Sequence, residues 1–161
     1  MVNSSRLMGA AAVALGLMAC QPSTPDPSAA TQAGPDAEYL ASPEFAARGL
    51  PFSEAVRVGS MLYLSGQLGT VPGTGERISG GIQPETRQAL ENIKSVLERY
   101  GLSMDRIVKC TIMIDDMAEW PEMNEVYAEF FPGPKPVRSA FGADGLALGA
   151  AVEIECWATV G

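Results

Sequence analysis

The sequence predicts an α+β domain built from one mixed β-sheet with two helices packed on a single face. Segments with a two-residue apolar period and segments with a helical period follow each other in the order ββ-α-β-α-ββ. Two of these segments are amphipathic helices, and two helices can cover one face of such a sheet. The composition of the 161-residue chain, 47% hydrophobic and 19% charged, is typical of an ordinary globular domain.

The first predicted elements are a hairpin and a helix. Residues 55–58 and 61–65 have the pattern of two strands joined by a turn at Gly59-Ser60. A helix begins at Gln83-Pro84-Glu85, because proline is favourable in a first turn, and it ends at Gly101. Its apolar stripe consists of Leu90, Ile93, Val96, Leu97 and Tyr100.

The second half of the chain predicts a strand, a helix and two more strands. The first of these strands covers 107–114, the helix starts at Met117 or Pro121 and ends at Phe131, and the last strands cover 137–141 and 151–160. Alternation places Cys110 and Cys156 on the helix-covered face, which predicts buried free thiols. The alternative is a disulfide between them, which requires that their strands are adjacent and the compartment is oxidising.

The other face of the predicted sheet mixes apolar and polar side chains. It carries Tyr63, Met113 and Trp157 beside Ser65, Arg138, and Glu153 or Glu155. Such a face is too apolar for water and too polar for a closed core. We therefore expect it to be buried against copies of the chain in a cyclic oligomer, with the polar groups lining clefts between subunits.

The composition excludes several kinds of chemistry. The chain contains no histidine, which excludes Ser-His-Asp and Cys-His hydrolases and His-bearing zinc sites. Its three cysteines have no CxxC spacing, so a thiolate metal site is unsupported. A net charge of −8 argues against nucleic acid as a partner. We expect a site made of carboxylate, guanidinium, hydroxyl, amide or backbone groups, with no metal and no cofactor.

Residues 1–19 have the pattern of an export signal. Arg6 precedes an uncharged apolar run, residues 7–19, that is too short to cross a bilayer. The run ends in Leu17-Met18-Ala19-Cys20, which resembles a bacterial lipobox and implies cleavage before an acylated Cys20. A plain secretory signal is the alternative. By analogy, Gln21 favours the outer membrane, which predicts a lipoprotein anchored at the periplasmic face of the envelope through its lipid only.

The predicted domain organisation follows from this leader. Residues 20–45 form a lipidated N-terminus and flexible linker, because most of this stretch is rich in Pro, Ser, Ala and Thr without apolar periodicity. Residues 46–161 form the folded domain.

Five segments of that domain resemble the RidA/YjgF family, the reactive intermediate/imine deaminases. They are LPFSEAV (50–56), YLSGQ (63–67), QALENI (88–93), MNEVYAEFF (123–131), and RSA (138–140) with VEIE (152–155). The similarity runs from about residue 49 to residue 160, in order and spacing. It implies a chorismate-mutase-like fold, a homotrimer with clefts at the subunit interfaces, and hydrolysis of 2-imino or enamine acids to 2-keto acids and ammonia without metal or organic cofactor.

The resemblance assigns the two catalytic roles to Arg138 and Glu153. The family arginine that holds the substrate carboxylate falls on Arg138, and the glutamate that orients the attacking water falls on Glu153. A guanidinium fork matches a planar carboxylate, and a carboxylate can accept and return a proton at an already electrophilic imine carbon. In the alternative reading, both side chains are solvated or ion-paired. Alternation alone does not choose between Glu153 and Glu155.

The resemblance also assigns substrate-binding positions. The family serine and the glycine after it fall on Ser65 and Gly66, and the helix asparagine falls on Asn124. Two positions depart from the family pattern, since Phe52 lacks the phenolic hydroxyl often found there and Ala140 replaces a frequent cysteine. Four aromatic side chains are predicted to pack in the core and not against a ligand: Trp120, Tyr127, Phe130 and Phe131.

The function predicted from the sequence is hydrolytic deamination of imino or enamine acids such as 2-aminoacrylate and 2-iminobutanoate. One alternative is a non-catalytic trimeric module that binds small carboxylates, or a holdase, using the same cleft. Another is hydrolysis of a different enamine or an acylated amine there. Because imino acids arise chiefly inside cells, an exported copy could act on an imine released by an amino-acid or amine oxidase.

Overall fold

The computed structural model describes residues 36–161, so the predicted leader, Cys20 and residues 21–35 of the linker lie outside the described residues. The strands are β1 (Ala37–Leu40), β2 (Ala55–Val58), β3 (Met61–Leu64), β4 (Gln67–Leu68), β5 (Ile107–Ile114), β6 (Val137–Gly142) and β7 (Val152–Thr159). The helices are α1 (Pro43–Ala46), α2 (Ile82–Arg99) and α3 (Trp120–Phe130). Short 3₁₀ turns lie at Met104–Arg106, Met117–Glu119 and Ala147–Gly149. No helix within 36–161 has the length and apolarity to cross a membrane.

The strands form one mixed sheet, which confirms the predicted fold class. Six strands follow the order β1-β2-β3-β7-β5-β6, and β4 pairs with β7 beside this path. All the pairs are antiparallel except β5 with β6, which are parallel. A parallel pair needs a crossover connection, and α3 supplies it.

The core lies between this sheet and the two long helices. The apolar stripe of α2, including Leu90, Ile93 and Leu97, is fully buried. It packs in one cluster with strand residues such as Ile112 and Ile154. Burying a side chain of this size contributes about 1.5–3 kcal/mol, so the stripe anchors α2 to the sheet.

Among the described residues, regular secondary structure begins at Ala37, inside the stretch that the sequence predicted as linker. Within the stretch predicted as linker, Ala37–Leu40 forms β1, which pairs with β2 through Tyr39 and Val56. The α1 turn follows, and the Ser42 hydroxyl caps it by accepting a hydrogen bond from the Phe45 N–H at 3.1 Å. The linker prediction is therefore wrong for residues 37–45. Its error has a physical reason, since β1 is ordered by hydrogen bonds to a distant strand and not by a local apolar pattern.

Cys110 and Cys156 form a disulfide, which corrects the prediction of free thiols. The two residues stand directly opposite each other on β5 and β7, and both are fully buried. Alternation correctly placed them on the helix-covered face. It could not show that their strands are neighbours, because 46 positions separate them and adjacency depends on the sheet order.

A buried carboxylate, Glu85, anchors the start of β7. Its side chain is fully buried, pairs with the Arg77 guanidinium and accepts a hydrogen bond from the Ala151 N–H at 2.8 Å. A Cβ at Gly69 would lie 2.6 Å from the Glu85 Cα, so glycine lets the two backbones approach closely. The charge of Glu85 is tolerated inside the protein because it is both paired and hydrogen-bonded.

A second buried carboxylate, Glu54, anchors the segment before β2. It pairs with the Arg99 guanidinium, and it accepts hydrogen bonds from the Ser42 N–H at 2.9 Å and the Tyr100 hydroxyl at 2.8 Å. Burial, followed by the hydrogen bond to Glu54, raises the pKa of Tyr100 to about 12. These contacts fix residues 52–54 against the C-terminal end of α2.

Candidate functional site

Arg138 lies on the helix-covered side of the sheet and not on the open face where the sequence placed it. Its strand β6 runs parallel to β5, and Arg138 stands opposite Cys110 in that pair. Paired residues of neighbouring strands point to the same face, and Cys110 points into the helix-covered core. Alternation sets which residues of a strand share a face, but the pairing register decides which face that is.

Three side chains of α3 surround the Arg138 guanidinium. Its Nη1 donates a hydrogen bond to the Asn124 Oδ1 at 2.6 Å. Its Cζ lies 4.9 Å from the centre of the Tyr127 ring and 5.8 Å from the centre of the Trp120 ring. Positions 120, 124 and 127 are spaced by four and three residues, so they share one face of the helix. The arginine is thus held by one amide and two aromatic rings.

No acidic side chain within residues 36–161 neutralises Arg138. The ion pairs in this part of the chain engage other cations: Arg57, Arg77, Arg87, Lys94 and Arg99. A guanidinium that contacts only neutral groups keeps its full charge and most of its N–H donors for another partner. This arrangement suits the binding of a planar anion at the edge of the sheet.

Glu153 lies on the open face of β7, opposite Met113 of β5 and Leu68 of β4. Its carboxylate packs directly on Gly66, where an added Cβ would overlap the Oε1 atom. Burial, and secondarily the negative charge of Glu155, raises the pKa of Glu153. The predicted sharing of one strand face by Glu153 and Glu155 is confirmed. Among the described residues, no cation lies within salt-bridge distance of Glu153.

Ser65 precedes Gly66 in the chain, and Phe52 precedes Ser53, the residue to which Ser65 is hydrogen-bonded. The Ser65 hydroxyl donates a hydrogen bond to the Ser53 carbonyl at 2.6 Å, which leaves its oxygen free to accept another. The Phe52 side chain is 52% exposed, and its ring meets that of Phe45 edge to face at 5.8 Å. The hydrogen bond to Ser53 thus brings the chain next to Phe52 beside Ser65, and the Phe52 ring packs on Phe45.

The predicted site residues form two groups that one chain does not join. Arg138, Asn124 and the half-buried Ala140 belong to the helix-covered edge at β6. The second group consists of Glu153 on the open face, Gly66 packed against it and Ser65 before Gly66, with Phe52 next to Ser53, the hydrogen-bond partner of Ser65. Since β5 separates β6 from β7, the strands of Arg138 and Glu153 are about 10 Å apart, and the two residues are offset by three positions along the ladder, roughly another 10 Å.

The structure adds Trp120 and Tyr127 to the arginine's surroundings. The prediction that they pack in the core is confirmed for Tyr127, which is buried and whose ring centre lies 4.7 Å from that of Phe131. Sequence reasoning missed that both rings also contact the cation. The spacing of Trp120 and Tyr127 around Asn124 is the signal that could have revealed this.

Neither a metal centre nor a deep cavity coincides with these residues. Over 36–161, no three His, Cys, Asp or Glu side chains are grouped so that they could hold a metal ion. A shallow groove of about 420 Å³ lies between α2 and α3 and contains none of the predicted site residues; its lining is Gln83, Pro84, Arg87, Glu125, Val126 and Glu129. Within one chain, the predicted site is two open half-sites.

Comparison with known proteins supplies a family. The sequence model described as "Endoribonuclease L-PSP" matches residues 43–160. "Reactive Intermediate Deaminase A, chloroplastic" of Arabidopsis thaliana is 40% identical over 110 residues, which span 68% of this chain and 59% of that protein. "2-iminobutanoate/2-iminopropanoate deaminase" of Mus musculus is 38% identical over 111 residues, spanning 69% of this chain and 82% of that protein. The crystal structure of E. coli TdcF with bound serine has 35% identity and a TM-score of 0.66, covering 70% of this chain and 90% of that one.

Proposed function

Since this chain belongs to the RidA/YjgF family, matched by the Endoribonuclease L-PSP model, we propose that it hydrolyses 2-imino and enamine acids, such as 2-iminobutanoate and 2-aminoacrylate, to 2-keto acids and ammonia. Relatives named 2-iminobutanoate/2-iminopropanoate deaminase are 36–44% identical to it, and the chain is an enzyme of this deaminase-like type. The observation that carries the finer proposal is the charged, unneutralised state of Arg138.

Arg138 would hold the substrate carboxylate. Asn124 occupies one of its N–H donors and the rings of Trp120 and Tyr127 occupy none, so its other N–H groups are available to a carboxylate. A carboxylate can accept two parallel hydrogen bonds from such an edge. An anionic substrate would also supply the negative partner that Arg77 and Arg99 have within their own chain.

Glu153 would manage the water and its protons. Water oxygen bonds to the imine carbon as the C=N π electrons move to nitrogen, and Glu153 accepts the proton that the water loses. The protonated carboxyl then gives this proton to the amine nitrogen. As the C–N bond breaks, the hydroxyl oxygen forms C=O and Glu153 passes the hydroxyl proton to the nitrogen, which leaves as ammonia. A pKa raised by burial suits this role, because a base works best when its pKa lies nearer the working pH.

The active site would be completed by a second copy of the chain. The two half-sites lie on different surfaces, so the contact that joins them is heterologous, and a heterologous contact forms a ring when its rotation closes. The family resemblance implies a ring of three. The open face supports burial in such an assembly, since Val137, Phe141 and Trp157 are 68%, 49% and 36% exposed in one chain.

We also propose that the protein is exported and anchored to the membrane by a lipid on Cys20. The disulfide supports this location, because such bonds form and persist in oxidising compartments. Labelled palmitate should enter the wild-type protein and not Cys20→Ser. Palmitate retained in Cys20→Ser would contradict the lipid anchor.

A thiol-reactive reagent tests the oxidising location. When it is added during purification from the cell envelope, Cys110 and Cys156 should not react with it until the protein is reduced. Free thiols at these two positions would contradict export.

Turnover of an imine generated in place tests the activity. An amino-acid oxidase produces 2-iminobutanoate beside a scavenger that competes for it, and release of 2-oxobutanoate and ammonia is compared with and without the purified protein. We expect Glu153→Gln to lower the enzyme-dependent rate by about 10²- to 10⁴-fold, and Arg138→Ala to lower kcat/KM chiefly by raising KM. Arg87→Ala is the matched control, because this exposed arginine pairs with Glu129 on the helices.

The same experiment separates the alternatives. If the wild-type protein does not accelerate hydrolysis but binds 2-oxobutanoate in an Arg138-dependent way, it is a carboxylate-binding module. The homotrimer is tested by sedimentation: a monomeric wild-type protein that is still fully active would overturn the shared site.

A further inference from the structure

Two aromatic side chains and one amide of the same helix contact the Arg138 guanidinium. Trp120 and Tyr127 contact the guanidinium through their rings, and Asn124 contacts it through a hydrogen bond. All three belong to α3, while Arg138 belongs to the edge strand β6. The orientation of the arginine therefore depends on a neighbouring element that presents three contacts from one helix face.

A ring and a carboxylate hold an arginine in different ways. A carboxylate occupies the N–H groups at the edge of the guanidinium, whereas an aromatic ring attracts the cation through its face and leaves that edge free. Arg77 and Arg99 are of the first kind, since each pairs with a buried glutamate. Arg138 is of the second kind. Its contacts orient the side chain without consuming the groups that a carboxylate ligand needs.

We propose that Trp120 and Tyr127 are positioning residues that aim Arg138 at the substrate carboxylate, a role that rests on the proposed function of Arg138. The ring of Tyr127 performs it and the hydroxyl does not. That hydroxyl is buried and, among the described residues, has no hydrogen-bond partner. The aromatic face is therefore the part of Tyr127 that contacts the arginine, and phenylalanine can replace it.

Binding of 2-oxobutanoate and steady-state turnover, both measured on the purified full-length protein, test this role. Trp120→Leu and Tyr127→Leu should raise the dissociation constant of 2-oxobutanoate by about 5- to 30-fold, the range expected for loss of a partly desolvated cation–π contact. KM should rise by a similar factor with kcat nearly unchanged, because Arg138 holds ground state and transition state alike. Tyr127→Phe should match the wild type within about twofold.

A double-mutant cycle distinguishes positioning from a general loss of structure. In an Arg138→Ala background, Trp120→Leu should weaken binding no further, since the group it positions is gone. An equal loss in both backgrounds would show that Trp120 acts through the fold and would overturn the inference. Phe130→Leu is the matched control, because Phe130 lies on the same helix, packs against the core and does not stack on Arg138.

The two leucine variants differ in their risk of misfolding. Tyr127 is buried, so Tyr127→Leu is the variant more exposed to a loss of folding. Trp120 is only partly buried, and Trp120→Leu, whose folding is checked by thermal melting, is sufficient to test the inference. Binding that follows this pattern without turnover supports the inference and removes the proposed reaction. A wild-type protein that binds no 2-oxobutanoate while catalysing hydrolysis would overturn the inference and leave the reaction standing.

Discussion

The buried carboxylates near the ends of the helices and the carboxylate of the candidate site differ in their partners. Glu54 and Glu85 are buried, and each contacts an arginine and backbone or hydroxyl donors of its own chain. Glu153 is half-buried, lies near a second carboxylate and has no cation partner among the described residues. The arginines differ in the same way: Arg77 and Arg99 each pair with a glutamate, whereas Arg138 has no acidic partner among the described residues.

This difference separates charges that stabilise the fold from charges that are available for chemistry. Glu54 and Glu85 connect distant segments, and their charges are already compensated. Glu153 and Arg138 are each held in place by neutral contacts while their charges stay uncompensated within the chain. Uncompensated charge in a folded protein is a cost that a binding or catalytic role explains.

Removing a partner from a buried pair should have the largest effect on stability. Arg77→Ala leaves Glu85 buried and uncompensated, so we expect the free energy of unfolding to fall by about 3 kcal/mol. Arg87→Ala, whose partner Glu129 is 55% exposed, should cost less than about 1 kcal/mol. Urea denaturation of both variants measures this. Equal losses would show that the buried pair is not special.

Displacing the Glu153 carboxylate, proposed above as the base, should have the next largest effect, on rate and not on stability alone. A methyl group at Gly66 would overlap the Glu153 carboxylate, so Gly66→Ala should lower kcat by about 10²-fold through misplacement of the base. Gly133→Ala is the control, because a Cβ there meets nothing within 4 Å. If Gly66→Ala keeps full activity, Glu153 is not held as the site requires.

A smaller effect is expected on the pH dependence of the reaction. The negative charge of Glu155 contributes to the raised pKa of Glu153, so removing it lowers that pKa. The acid limb of the kcat/KM profile, where Glu153 becomes protonated, should therefore move to lower pH in Glu155→Gln. Glutamine can still accept the hydrogen bond that the Trp157 Nε1 donates at 2.6 Å. A shift to higher pH would contradict the assignment of this limb to Glu153.

The smallest expected effect is on the stability of Glu153→Gln, which should rise slightly although the activity of this variant is lost. The pKa of Glu153 is higher in the folded than in the unfolded chain, so folding favours the protonated form, and stability falls as pH rises from the unfolded value through the folded one. Glu153→Gln removes this loss. Its Tm at pH 7 should equal or slightly exceed that of the wild type, whereas at a pH below both values the difference should disappear. A clear drop in Tm would place Glu153 with the structural carboxylates.

Local patterns predicted most of the secondary structure. The amphipathic stripe and the flanking proline and glycine predicted α2 to within a residue or two, and alternation predicted β5 over its observed range. The strand β1 and the short β4 were missed, because each is stabilised by pairing with a strand far away in sequence and carries too few residues for a periodic signal.

The sequence predicted which residues belong to the candidate site, but it did not predict how they are arranged in space. The resemblance pointed to Arg138, Glu153 and Asn124 by motif, and the structure brings Asn124 and Arg138 into contact. It separates Arg138 from Glu153. The contribution of Trp120 and Tyr127 was missed, because aromatic residues on a buried helix face have the same pattern whether they pack against leucine or against a cation.

The amino-acid sequence by itself determined the fold class, the family resemblance and the exclusion of histidine chemistry, since these depend on residue types, spacing and local periodicity. The tertiary structure decided which strands are neighbours and which face each presents. It thereby joined Cys110 to Cys156, and it turned Arg138 away from Glu153. The physical reason is that alternation within a strand has a parity but no absolute phase, and hydrogen-bond register between strands distant in sequence sets that phase.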